Sequence, residues 1–275
     1  MNLASNICTV QSFDLPELQP YRTLRRPMDH FREGIFVAEG EKVVRRLISS
    51  NFTIISFLMT PEWYDVLANQ LTTHRPAAHN SPTVYIAEKH LLETIVGYNL
   101  HQGIMAMAQL PPQQSLEQVM KTLSNPHVLV ALDGLVSAEN VGVVVRNCAA
   151  FGVDAVLVGE TSSSPYLRRA VRNSMGTVFH LPVIHTENLA GTLLVLHRTY
   201  GTRIIAAHPH EQSSIHDTSL AGNVCIVMGN EGEGISPQIL AACTDRIAIP
   251  MMNGTDSLNV GSASAVFLYE VRKQR

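Results

Sequence analysis

No apolar run in this 275-residue chain approaches the roughly 20 residues that a helix needs to cross a bilayer, so no membrane-spanning helix is expected. The N-terminus lacks a basic stretch followed by an apolar core, and secretion is not expected. Cysteine is scarce: Cys8, Cys148, Cys225 and Cys243 are widely spaced and form no C-x-x-C. That spacing excludes a disulfide framework or zinc ribbon and suits reduced cysteines in a cytoplasmic protein. Charge is thin as well, 16% of residues with a net of −3, and no strongly basic domain announces nucleic acid. The glycine fingerprint of dinucleotide folds is missing after Leu132, where the chain reads Asp133-Gly134-Leu135-Val136, and there is no Walker A sequence. Repeats and low-complexity segments are absent.

What remains is a well-packed α/β chain, 45% hydrophobic and long enough for two domains. The first fifteen or so residues have no clear period and read as an irregular tail reaching to about residue 18. Strands are expected at Ile35–Val37, Ile54–Leu58, Val84–Ile86 and Ile104–Ala108. Helices are expected between them at Glu41–Ser49, Pro61–Leu71 and Glu88–Val96, with a loop at Thr73–Pro82. This gives a small N-terminal α/β domain, residues 1–110. Pro111-Pro112 resists both helix and central strand and opens a linker, 111–124. From 125 to 275 the alternation resumes. Strands are expected at Val128–Leu132, Ala155–Val158, Arg203–Ala207, Val224–Val227 and Arg246–Ile249, and helices at Asn140–Phe151, Leu189–Tyr200, Pro237–Cys243 and Leu258–Lys273. Such a pattern predicts a mostly parallel sheet with helices on both faces and ligands at the strand C-termini.

Three separated blocks carry the chemistry. Asn140-Val141-Gly142-Val143-Val144-Val145-Arg146 opens a helix. Met228-Gly229-Asn230-Glu231-Gly232-Glu233-Gly234 follows a β-branched run, and a glycine-rich turn there offers backbone groups to a ligand. Ile249-Pro250-Met251 and Ser257-Leu258-Asn259-Val260-Gly261 lead into a small-residue helix. In this order the blocks resemble the SpoU/TrmH family of RNA ribose methyltransferases. Val171-Arg172-Asn173-Ser174-Met175-Gly176 and His180-Leu181-Pro182-Val183 fit the same pattern. The chain departs from it at Ser137-Ala138-Glu139, where the family often has Pro before the Asn. It departs again at Gly261-Ser262-Ala263-Ser264, and both changes bear on substrate fit more than on cofactor binding. The resemblance implies a trefoil knot, a homodimer whose active site borders the subunit interface, and S-adenosylmethionine as cofactor. Gly229, Ile249 and Leu258 would contact that cofactor, with Asn230, Gly232, Met251 and Asn259 beside them. An N-terminal substrate-binding domain is implied more weakly, through Phe36-Val37-Ala38-Glu39-Gly40-Glu41-Lys42-Val43.

The resemblance also makes Arg146 the central catalytic residue. A guanidinium stays protonated and is a poor general base, so holding the target phosphate and stabilising a developing alkoxide suit it better. Arg146 lies six residues after Asn140, off its helix face, and the two act together only with Asn140 at the helix cap, a position Asn favours. Glu231, inside the glycine turn, is expected to accept backbone N–H groups or to pair with Arg146. Ser257 caps the last helix or serves the site, and Asn259, poor for helix propensity, is expected to have a function. Phosphate contacts are expected from two clusters. From Pro20 to Ser50 there are seven Lys or Arg against four acids, Arg22, Arg25 and Arg26 among them, and Arg168, Arg169 and Arg172 form the second. The first cluster belongs to the N-terminal domain and the second to the C-terminal one, so RNA is expected to bridge both. His208-x-His210 with His216 is the best metal candidate but reads better as a polar loop, and no metal is expected. The reading is an S-adenosylmethionine-dependent 2′-O-methyltransferase of tRNA or rRNA. A non-catalytic RNA- or ribosome-binding protein and a methyltransferase acting on a base nitrogen or a small molecule are the alternatives.

Overall fold

The structure, a computed structural model, describes residues 6–73, 81–96, 103–209, 211 and 213–275. His210 and most of the Thr73–Pro82 loop fall outside them. The chain divides into two compact units. Unit 1 takes the residues up to Pro111 together with Tyr166–Phe179, and unit 2 takes Pro112–Pro165 and His180–Arg275. No helix among the described residues is long and apolar enough to cross a membrane.

Unit 1 is built on five strands: β1 (Ile7–Thr9), β2 (Ile35–Glu39), β3 (Ile54–Met59), β4 (Thr83–Ile86) and β5 (Ile104–Gln109). Their order is β1-β4-β3-β5-β2, with β5 antiparallel to both neighbours and the other pairings parallel. Two expectations are corrected here. From Ile7 onward the N-terminal stretch is not a surface tail. Ile7 to Thr9 pair with Val84 to Ile86, and Val10, Phe13 and Leu18 are buried in the unit 1 core beside Tyr21. Neither does the cluster of Arg168, Arg169 and Arg172 belong to the C-terminal half. The short helix Arg168–Asn173 packs on β2 within unit 1. Tyr166 and Phe179, at the ends of this segment, join Phe36 and Phe52 in an aromatic cluster with ring centroids 5.3 to 6.0 Å apart. Arg168 donates through Nε (3.0 Å) and Nη2 (2.5 Å) to Glu39, and the two side chains are only 14% and 11% exposed. Arg46 donates to the carbonyl of Met175. Aromatic burial and a largely desolvated, two-pronged ion pair hold the segment.

Unit 2 holds β6 (Val128–Leu132), β7 (Ala155–Val158), β8 (Val183–His185), β9 (Arg203–Ala207), β10 (Val224–Met228) and β11 (Asp245–Ile247). Their order is β11-β9-β10-β6-β7-β8, parallel at every pairing. The central strands β6 and β10 are buried at every residue because helices cover both faces, which explains their unbroken apolar sequences. The stretch expected to be linker is ordered beyond its first residues. Ser115 and Gln118 form a reciprocal cap on the helix Leu116–Met120, and Val119 and Met120 enter the unit 2 core.

Candidate active site

The helix Ala138–Phe151 starts earlier than expected. Ser137 is its cap, accepting the N–H of Asn140 at 3.2 Å, and Gly152, at φ +72°, ends it. Asn140 therefore lies inside the first turn, and its side chain is free of capping work. Its amide instead joins a chain of oriented hydrogen bonds. The Gly261 N–H donates to Asn259 Oδ1 (2.9 Å), Asn259 Nδ2 to Asn140 Oδ1 (3.4 Å), and Asn140 Nδ2 to Glu231 Oε1 (2.5 Å). Every link points toward the carboxylate, so the two middle positions, Asn259 and Asn140, need a group that both donates and accepts. Glu231 thus takes an Asn amide rather than the expected backbone N–H groups or Arg146. Asn259 is itself the cap of the last helix, Val260–Lys273, displacing Ser257 from that role.

The glycine turn closes on itself. Asn230 and Gly234 exchange both backbone hydrogen bonds, at 2.9 and 3.0 Å. Inside it Asn230 Oδ1 accepts the N–H groups of Gly232 and Glu233, and Nδ2 donates 2.7 Å to the carbonyl of Gly134 at the end of β6. Asp133, also following β6, accepts the N–H of Ser236 at 2.7 Å. Asp133 and Asn230 so staple the loops after β6 and β10 together. Asn230, expected at the cofactor, spends its side chain on this staple. A methyl group on Gly229 would lie 2.4 Å from the carbonyl carbon of Gly234 and 2.5 Å from Ile235 N, so the turn itself demands glycine there. At Gly232 a methyl group would meet nothing closer than Asn230 Oδ1 at 3.6 Å.

A cavity of about 500 Å³ lies where β9, β10 and β11 end, the size of a small-molecule site. Gly229, Asn230, Glu231, Gly232, Ile249, Met251, Ser257, Leu258 and Asn259 line it, together with Glu233 of the glycine block, His208, which the sequence offered only as a metal candidate, and Asp256, which sequence reasoning missed. All the expected cofactor residues are thus on one wall or another. Arg146 is not. It is exposed on its helix, and its guanidinium makes no hydrogen bond or ion pair among the described residues. Among the described residues no group of three or more His, Cys, Asp or Glu side chains is placed to hold a metal. In unit 1 Arg22, Arg25, Arg26, Arg169 and Arg172 are exposed; Arg22 also donates to the carbonyl of Phe13, and the largely buried Arg168 pairs with Glu39.

A parallel sheet with a glycine-turn cavity at its carboxyl edge is a ligand-binding α/β architecture, and the comparisons specify it further. Residues 127–269 match the SpoU rRNA Methylase family model. An uncharacterized tRNA/rRNA methyltransferase of Mycobacterium bovis is 32% identical over 265 residues, 94% of this chain and 88% of that protein. The 23S rRNA (guanosine-2′-O-)-methyltransferase RlmB of Pasteurella multocida is 32% identical over 196 residues, 70% of this chain and 80% of that one. In fold the chain is similar to an AdoMet-bound rRNA methyltransferase from Sinorhizobium meliloti, with a TM-score of 0.81 at 20% identity, covering 97% of this chain and 98% of that one. The chain belongs to the SpoU methylase family.

Proposed function

We propose that this protein transfers a methyl group from S-adenosylmethionine to a ribose 2′-hydroxyl in RNA. The observation that carries the reading is the convergence of the second and third sequence blocks on one cavity, with Asn140 of the first block hydrogen-bonded to two of its lining residues, Asn259 and Glu231. The residues present fit the cofactor. The volume suits it, the turn after β10 brings backbone close, and the charged residues Glu231, Glu233 and Asp256 complement a sulfonium cation. When bound, the cofactor supplies an already activated methyl group. Gly229, Ile249, Met251 and Leu258 would hold it, so that alignment rather than covalent help is what the protein contributes. Arg146 keeps its charge and serves the RNA side, gripping a phosphate and stabilising charge that develops on the ribose oxygen. The hydrogen-bonded Asn140 and Asn259 keep Glu231 oriented in the cavity wall.

The same reading includes the family's trefoil knot, a cytoplasmic site of action and a homodimer. Val266 and Tyr269 on the last helix, with Val136, Met252 and Leu258 in nearby loops, are exposed apolar residues suited to a subunit interface. Exposed Arg25, Arg26, Arg169 and Arg172 of unit 1 supply the phosphate contacts. The activity named for the Pasteurella relative makes a 23S rRNA guanosine the first substrate to try, and tRNA the second.

The test is incubation of the purified protein with labelled S-adenosylmethionine and each RNA, followed by mass spectrometry of the nucleosides. A 2′-O-methylnucleoside is expected. Methyl on a base would move the chain to another reaction class, and cofactor binding without any methylated product would make it an RNA-binding protein. Calorimetry with Gly232→Val supplies a second check. The valine has room on the protein side and should weaken cofactor binding, so unchanged affinity in the folded variant removes the cavity assignment.

A further inference from the structure

Asn140, Val143 and Asn147 fall at successive turns on one face of the helix Ala138–Phe151, and each meets the last helix or the residue capping it. Asn140 takes the hydrogen bond from Asn259. Val143 lies so close to Gly261 that a methyl group there would sit 2.6 Å from its Cγ1. Asn147 Nδ2 donates to the carbonyl of Gly261 at 2.7 Å and to Ser264 Oγ at 2.9 Å. Ser264, fully buried, donates in turn to the same carbonyl at 2.8 Å, closing a triangle. Asn147 does not line the cavity, yet it stands between two parts of the site. Its neighbour in sequence is Arg146, and the residues just before Gly261 are the cavity-wall residues Leu258, Asn259 and Val260. An Asn in the interior of a helix is unfavourable on its own account, and apolar packing alone would let the helices settle in several registers.

We propose that Asn147 is a positioning residue for methyl transfer. Its amide fixes the first turn of the last helix against the helix that carries Arg146, and so sets the spacing between Arg146 and the Leu258–Val260 wall. This rests on reading the cavity as the cofactor site and Arg146 as the residue at the reacting oxygen. A misplacement of about 1 Å between groups that must align costs on the order of a hundredfold in rate.

The experiment compares single-turnover methylation of RNA, calorimetric affinity for S-adenosylmethionine and Tm in the full chain. Asn147→Ala and Asn147→Asp should lower the rate by about a hundredfold and weaken the cofactor about fivefold. Asn147→Thr, which keeps a donor, should recover most of both. In an Arg146→Ala background, Asn147→Ala should lower the residual rate by no more than about twofold, because the group it positions is gone. Gly261→Ala, which parts the helices at the same contact, should copy the Asn147 defect, with Val143→Ala restoring part of it. This pair serves if the Asp variant fails to fold. Asn223→Ala removes bonds to His127 N and Tyr200 O at the start of β10, and should lower Tm with rate and affinity unchanged. Asn147 variants that lose only Tm, as Asn223→Ala does, would overturn the proposal and leave the cofactor reading standing. A wild-type chain that gives no heat with S-adenosylmethionine would overturn both.

Discussion

Unit 2 has a sheet that is parallel at every pairing, and its cavity opens where three neighbouring strands end. In unit 1, β5 runs against both its neighbours, and the hollow of about 420 Å³ beside Arg22 is lined by Gln11–Asp14, Leu91 and Thr94, with no glycine turn. The contrast follows from strand direction. A parallel sheet gathers every strand's carboxyl end on one edge, so loops far apart in sequence converge there. In unit 1 the reversed β5, lying between β3 and β2, sends its carboxyl end to the opposite edge and interrupts that gathering. Unit 2 accordingly carries a pocket, and unit 1 carries exposed arginines.

The sharpest break in that comparison comes from Arg146→Ala. On the division of labour above, it should cut methylation by about 10²- to 10³-fold while cofactor affinity stays within about twofold. Arg146→Lys should fail as well, since a point charge does not replace a planar fork. A normal rate in either variant would make Arg146 a surface residue. Next in size is Glu39→Gln in unit 1, which leaves Arg168 largely buried without its carboxylate and should cost about 3 kcal/mol, read as a lower urea midpoint. An unchanged midpoint would show that the ion pair does not hold Tyr166–Phe179 in place.

A smaller effect is expected from charge reversal of Arg169 and Arg172 together. RNA affinity should weaken, and the slope of log affinity against log salt should flatten by about 0.7 for each phosphate of a single-stranded RNA that is no longer neutralised. An unaltered slope places the RNA elsewhere. The smallest effect is on acid stability and touches both units. Burial holds the pKa of His30, and of His127 and His185, below the usual histidine value, in His30 against the pull of Glu33 and Asp29 and in His127 against that of Asp154. Histidines kept neutral in the fold take up protons on unfolding, so stability is full above about pH 6.5 and falls as pH drops through and below that value. Urea midpoints at about pH 7.5 and 5.5 should show the loss, and a midpoint that rises on acidification would contradict it.

Unit 2 was largely legible in its sequence because central parallel strands are continuous apolar runs. Val128–Leu132, Ala155–Val158 and Arg203–Ala207 end where expected, and β10 runs one residue further, to Met228. The cavity walls were legible because the glycine turn and the Ser257–Gly261 block have unusual local composition. Other features carry no local signature. β1 has three residues with no apolar alternation, and its partner strand lies some 75 residues away. Tyr166 and Phe179 gain their meaning from Phe36 and Phe52, more than 100 residues upstream. Ser137 and Asn140 are both good caps, and only the fold shows that Ser137 takes the N–H of Asn140. Asn147 could have been found: seven residues after Asn140 is two helical turns, which places both on one face, whereas the six-residue step to Arg146 does not.

The borrowed segment Tyr166–Phe179 has a consequence for synthesis. When Pro111 leaves the ribosome, unit 1 still lacks two of its four clustered aromatic rings and the arginine that neutralises Glu39. These arrive about 55 to 70 residues later, several seconds at ordinary elongation rates, by which time Pro112–Pro165 of unit 2 has been translated. The nascent chain therefore holds an open apolar face on β2 while a second domain is emerging, and the N-terminal half cannot mature as an independent cassette ahead of the catalytic one.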